Sequence, residues 1–187
     1  MENLPTPDQF DFGLLVLRVV VGLVFAFHGY AKFFRGGRLA GTAGWFDGMG
    51  MRPGHLHARA AAGGEVLTGI CLALGLFTSF AGLGLVGLMS VAFWTVHKGN
   101  GLLITKDGWE YNLVLATIGV SVATLGAGEW SLDNALGVDL NGTTGFVISL
   151  VGGLAVAAGL LATCYRPPMP EPAEPVEPVE SSQPVAG

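Results

Sequence analysis

Charge is what this sequence most lacks. Only 12% of its 187 residues are Asp, Glu, Lys or Arg, against roughly 25% in an ordinary soluble domain. A soluble fold of this length needs a polar shell, and this chain cannot build one. Basic residues are not in excess either, which excludes the basic face of a nucleic-acid binder. Two cysteines, Cys71 and Cys164, sit in apolar segments with no CxxC pair, so neither a disulfide framework nor a thioredoxin-like motif is expected, and Cys71 reads as an apolar filler. P-loop, GxSxG and HExxH signatures are absent. The letters of GxGxxG occur at Gly82, Gly84 and Gly87, but inside an apolar run with no strand before it, where they read as helix packing.

The sequence is rich in long apolar runs, and half of it is hydrophobic. Five stretches, near 12–34, 59–78, 80–97, 109–127 and 145–165, reach the roughly 20 residues that cross about 30 Å of hydrocarbon. The expected fold is therefore all-α: a polytopic membrane protein with a four-helix transmembrane core over 12–137 and an additional transmembrane helix within 138–166. Residues 1–11 form a short extracytoplasmic segment. Its acids Glu2, Asp8 and Asp11, without a basic residue, argue against a cleaved signal peptide. Residues 167–187 repeat a Pro-Glu-Pro-Val theme, read as a disordered Pro/Glu-rich tail.

Four of the fourteen acidic residues lie in that tail. Through Arg166 the balance is nine basic against ten acidic, so the body is nearly neutral. Eight of the nine Lys/Arg fall in the first and third connections, at their helix ends and at Arg166. Lys/Arg bias places that side in the cytoplasm, giving N-terminus outside and C-terminus inside. The first connection contains a segment around 39–49 expected to be a short interfacial helix, with Trp45 and Phe46 at headgroup depth. His55 and His57 read as surface residues. Gly22/Ala26, Gly63/Gly64, Gly84, Gly87 and Gly153/Ala157 are candidate contacts between helices.

A charge inside hydrocarbon costs about 3 kcal/mol or more, so each needs a partner or a function. Arg18, Phe25, His28 and Lys32 share one stripe of the first helix at helical spacing. Glu65 in the second helix, His97 at the end of the third and Glu110 opening the fourth lie at matching depth. Four readings of this cluster stand side by side. It is architectural, with Glu65 pairing Lys32 or His28 and Glu110 capping its helix. It is a quinone or small polar ligand site, with His28, Glu65, His97 and Glu110 exchanging protons and Phe25 and Trp94 forming the apolar wall. It holds a metal, or a haem between His28 and His97. Or it translocates ions. Arg18 lies about 10 Å outside this layer, and Asp133 is its expected partner in an architectural clasp.

Arg18-Val-Val-Val-Gly22, His28-Gly29-Tyr-Ala-Lys32, Glu65, Gly108-Trp-Glu110-Tyr111 and Gly126-Ala-Gly128-Glu-Trp-Ser131-Leu132-Asp133 together resemble the DoxX family over roughly 11–137. Gly126-Ala-Gly128 stands where Gly-Pro-Gly is more usual. The resemblance implies a small bacterial-type inner-membrane protein with a four-helix core. It also implies association with quinol oxidation, thiosulfate:quinone oxidoreductase complexes or oxidative-stress assemblies. It does not settle residue roles, so two further alternatives stand: a non-catalytic membrane scaffold for soluble redox or stress-defence enzymes, and a small-solute transporter.

Overall fold

A computed structural model describes residues 5–167. The expected 167–187 tail lies outside the described residues except for Pro167. Helix α1 (Pro7–Phe34) begins with a reciprocal cap. Thr6 accepts from the Gln9 backbone N–H, the Gln9 side chain accepts from the Thr6 N–H, and Pro7 opens the first turn. At 28 residues it is about 42 Å long, more than the hydrocarbon needs. Helix α2 (Arg38–Met49) ends on Gly50 in the left-handed conformation. Helix α3 (Gly54–Leu74) follows, then α4 (Thr78–His97), whose last five residues, Phe93–His97, form a π turn. Helix α5 (Glu110–Leu125), the short α6 (Leu132–Leu136) and α7 (Gly142–Cys164) complete the chain, with α7 carrying a second π segment over Val147–Gly152. No strand occurs among the described residues.

Three helices, α1, α4 and α7, are long and apolar enough to cross a membrane. The other two expected spans take a different form. Helix α5 is apolar but only 16 residues long. Helix α3 has the length, yet its sequence carries His55, His57, Arg59 and Glu65, which dilute its apolar character. Helix α6 caps itself through Ser131, whose hydroxyl accepts from the Asn134 N–H at 3.2 Å.

Helix α1 lies along α3, and α4 packs against α3, α5 and α7. The α1–α3 approach is set by small residues. A Cβ on Gly22 would stand 2.5 Å from the Gly69 carbonyl oxygen, and Gly69 in turn faces Ala26. Gly84 packs on Thr68, Gly82 on Gly119 and Gly64 on Leu88, so the GxGxxG letters are helix packing here. Gly63 meets nothing and is not a contact point. The core holds Phe25, Leu72, Leu85, Leu115 and Val122, and a second cluster joins Phe46, Met51 and Ala58 to the end of α7. There the chain after α2 is pinned to the chain after α7: the Arg52 N–H donates to the Cys164 carbonyl at 3.3 Å, and the Arg166 N–H donates to the Gly50 carbonyl at 2.7 Å.

Charge separates along the bundle. The end carrying α2, the 98–109 connection and the terminus of α7 has seven exposed basic residues: Arg35, Arg38, Arg52, Arg59, Lys98, Lys106 and Arg166. At the opposite end the 126–133 connection is tied down by acids and by Arg18. Asp11 accepts from the Glu129 N–H at 2.9 Å, and Asp133 accepts from the N–H groups of Phe77 and Thr78 at 2.6 and 2.9 Å.

Candidate functional site

Arg18 does not reach its expected partner directly. Its Nη2 donates to the Trp130 carbonyl at 2.9 Å, while both oxygens of Asp133 cap the start of α4. Arg18 and Asp133 form no direct ion pair, and each carboxylate oxygen accepts one backbone N–H at the start of α4. The two residues still serve one structure, since Trp130 and Asp133 lie on the same connection. Gly75 makes room for the guanidinium: it is left-handed (φ +62), and a Cβ there would strike Arg18 Nη1. Arg18 is 1% exposed, and two of its nitrogens have no partner.

At the basic end the helices diverge around a cavity of about 630 Å³ with a mainly apolar wall. That volume lies in the ordinary range for small-molecule sites. The cavity brings together His28 and Lys32 from α1, Glu65 from α3 and His97 from α4. Lys32 Nζ donates to Glu65 Oε2 in an ion pair, the one salt bridge among the described residues. His28 Nδ1 lies 2.8 Å from the Val24 carbonyl, one turn back on its own helix. His97 Nδ1 lies 2.6 Å from the Asp107 carbonyl. Each of these bonds fixes its imidazole through Nδ1 and leaves Nε2 for another partner.

The other expected site residues stand elsewhere. Glu110 is not in the cavity wall: it accepts from the Ile104 N–H at 3.0 Å and so holds the 102–104 loop. Phe25 is 1% exposed inside the α1–α3–α4 core, not on the cavity wall. Trp94 faces outward at 46% exposure, with Lys98 Nζ 3.8 Å from its ring centroid. The π turn explains this. Its wider i→i+5 winding shifts the phase that regular helical spacing assigns to positions 93–97, so His97 reaches the cavity and Trp94 does not.

Other residues in the wall escaped the sequence reading. Phe46 is buried, and it stacks on His57 with ring centroids 6.4 Å apart. His57 is also buried, so of the two loop histidines only His55 is a surface residue. Met49, Met51 and Met89 supply soft apolar wall. Asn112 donates from its amide to the Met89 carbonyl at 3.3 Å, tying α5 to α4. Tyr111 follows Glu110 in the Gly-Trp-Glu-Tyr motif, and that motif was the available signal: its tyrosine, not its glutamate, lines the cavity.

A carboxylate, an ammonium and two imidazoles around a mostly apolar space can hold a ligand with an apolar body and one or two polar groups. Among the described residues, no three of His, Cys, Asp and Glu converge as a metal-ligand set.

Comparison with known proteins bears on the same segment. A family model described as DoxX matches residues 13–98, from α1 through the π turn of α4. An uncharacterized protein of Haemophilus influenzae is 30% identical over 84 residues, covering 45% of this chain and 56% of its own length. A second uncharacterized protein of the same organism is 32% identical over 126 residues, covering 65% of this chain and 88% of its own. The chain thus spans little more than half of the first relative and most of the second. No solved structure matches. Carrying His28, Lys32 and Glu65 within the matched segment, this chain belongs to the DoxX family.

Proposed function

We propose that this DoxX protein crosses the bacterial inner membrane five times and that its inner cavity binds a quinone headgroup as part of an oxidoreductase system. The observation that carries the reading is the Lys32–Glu65 pair beside His28 in the wall of a mainly apolar 630 Å³ cavity. An isolated ion pair in an apolar bundle is costly to keep, and one that borders ligand-sized space has a use beyond architecture.

Residues and ligand class fit each other chemically. Lys32 has N–H donors beyond the one given to Glu65, and His28 offers Nε2, so both suit a ring carbonyl oxygen. The Glu65 carboxylate suits a ring hydroxyl as proton acceptor. A bound quinone supplies two-electron, two-proton chemistry. The chain's own part is to seat the ring, exclude water with Phe46 and the methionines, and hold or release a proton at Glu65. His97, at the π turn near the basic end, extends this polar wall toward the connection at Asp107. Electron exchange is assigned to a partner oxidoreductase.

The reading of five crossings is supported by the packing of α3 and α5 among the three apolar helices, with α1 and α4 flanking α3 and α4 flanking α5. Positive charge at one end favours a cytoplasmic position for that end, where α7 finishes. The same seven exposed basic residues favour the second reading, a scaffold that recruits acidic soluble redox enzymes without binding a quinone. Equilibrium binding of decylubiquinone to the purified chain in nanodiscs separates the two. The quinone reading expects saturable binding that the His28→Asn/Glu65→Gln variant loses. Binding that is absent or unaltered in the variant supports the scaffold.

A further inference from the structure

Tyr111 lines the same cavity, and its hydroxyl is shut off from solvent without a hydrogen-bond partner. Buried phenols ordinarily find one, and a polar group left unpaired lowers stability. No neighbouring group bonds it in this structure. Glu65 Oε2 takes the Lys32 ammonium and His28 Nδ1 faces the Val24 carbonyl. Asn112, the next residue, spends its amide on Met89. The Tyr111 ring lies 5.9 Å from the His28 ring, centroid to centroid, beside the polar part of the wall. Phenylalanine would supply the same ring to the bundle, and the packing gives the oxygen no purpose. An unsatisfied buried group calls for a partner, and at a cavity wall a ligand can supply it.

We infer that Tyr111 is the hydrogen-bond donor that recognises a ring-carbonyl oxygen of the cavity's ligand, its phenol turning about its side-chain torsions to meet it. This rests on the quinone reading and narrows it to a planar ring bearing a carbonyl acceptor. Tyr111 thereby sets specificity against apolar rings of the same size, which cannot accept the hydrogen bond.

The test is thermal unfolding of the purified full chain in detergent, wild type against Tyr111→Phe. Three probes are compared: decylubiquinone, 4-decylacetophenone with its single carbonyl, and decylbenzene with none. Without ligand, Tyr111→Phe is expected to melt at or above wild type, since it removes an unpaired group. Both carbonyl probes are expected to raise the wild-type Tm, and the concentration giving half the shift to rise roughly tenfold in the variant. Decylbenzene is expected to act alike on both. A ligand-free variant that melts well below wild type overturns the inference, because the hydroxyl then serves the bundle. Carbonyl probes that bind both proteins alike overturn it while leaving the quinone reading standing. If 4-decylacetophenone alone acts, and depends on Tyr111, the quinone reading falls and the role of Tyr111 stands. If neither carbonyl probe acts on the wild type, both fall.

Discussion

Lys32 Nζ donates to Glu65 Oε2, joining the last turn of α1 to the middle of α3 where the two helices border the cavity. The partners are unequally sheltered: the Lys32 side chain is 24% exposed and the Glu65 side chain 10%. Lysine can extend toward the polar surface on its flexible stem, whereas an orphaned Glu65 stays where it is. Lys32→Met is therefore expected to destabilise the chain by about 3 kcal/mol, and Glu65→Leu by less. The double variant Lys32→Met/Glu65→Leu should recover most of the loss. Unfolding in graded SDS reads all three, and equal losses for the two single variants would contradict this asymmetry.

Close approach of α1 and α3 depends on missing side chains. Gly22→Val forces a branched side chain against the Gly69 carbonyl, and a loss of about 2 kcal/mol or more is expected from overpacking. Gly63 lies on the same helix pair but meets nothing. Gly63→Ala should be neutral or slightly stabilising, because alanine favours the helix. Tm values of the two variants in one detergent compare them directly.

Helix positions were legible because long apolar runs mark them whatever the tertiary contacts. The runs at 12–34, 80–97 and 145–165 correspond to α1, α4 and α7 with shifts of a few residues at the ends. The segment at 39–49 became α2. His28, Lys32, Glu65 and His97 were placed near one another because helical spacing and depth suffice for that. Three things were not legible. Trp94 turns outward because a π turn breaks the regular phase, and the sequence carries no mark of it. Asp133 caps α4 rather than pairing with Arg18, because competition for a carboxylate is decided by which donors fold next to it, some 55 residues away in sequence. Phe46 and His57 are buried because α2 lies over the cavity instead of facing outward.

Asp133 holds the turn into α4 with two backbone bonds, one of them to Phe77, whose φ of +46 is left-handed. Asp133→Ala removes both and is expected to cost about 2 kcal/mol, the upper end for a helix cap. Asp133→Asn keeps one acceptor oxygen and should fall between wild type and Ala. Thermal unfolding of the three proteins gives the order, and an Asn variant as unstable as Ala would contradict the two-bond cap.

The proposed five crossings predict opposite sides of the membrane for two positions flanking α7. A reporter that fluoresces only in the cytoplasm should be bright when fused after Arg166. An alkaline phosphatase that folds only outside should be active when fused within 137–141. Bright fluorescence at both positions would mean that α7, which lies between them, does not cross, and the chain would then have fewer spans.

The most direct test of the quinone account is organic extraction of the detergent-purified chain, with mass spectrometry of what it carries. The wild type is expected to yield near-stoichiometric quinone and the His28→Asn/Glu65→Gln variant little, at equal expression and with both proteins folded. Equal trace amounts from both would contradict the account and leave the Lys32–Glu65 pair as bundle architecture.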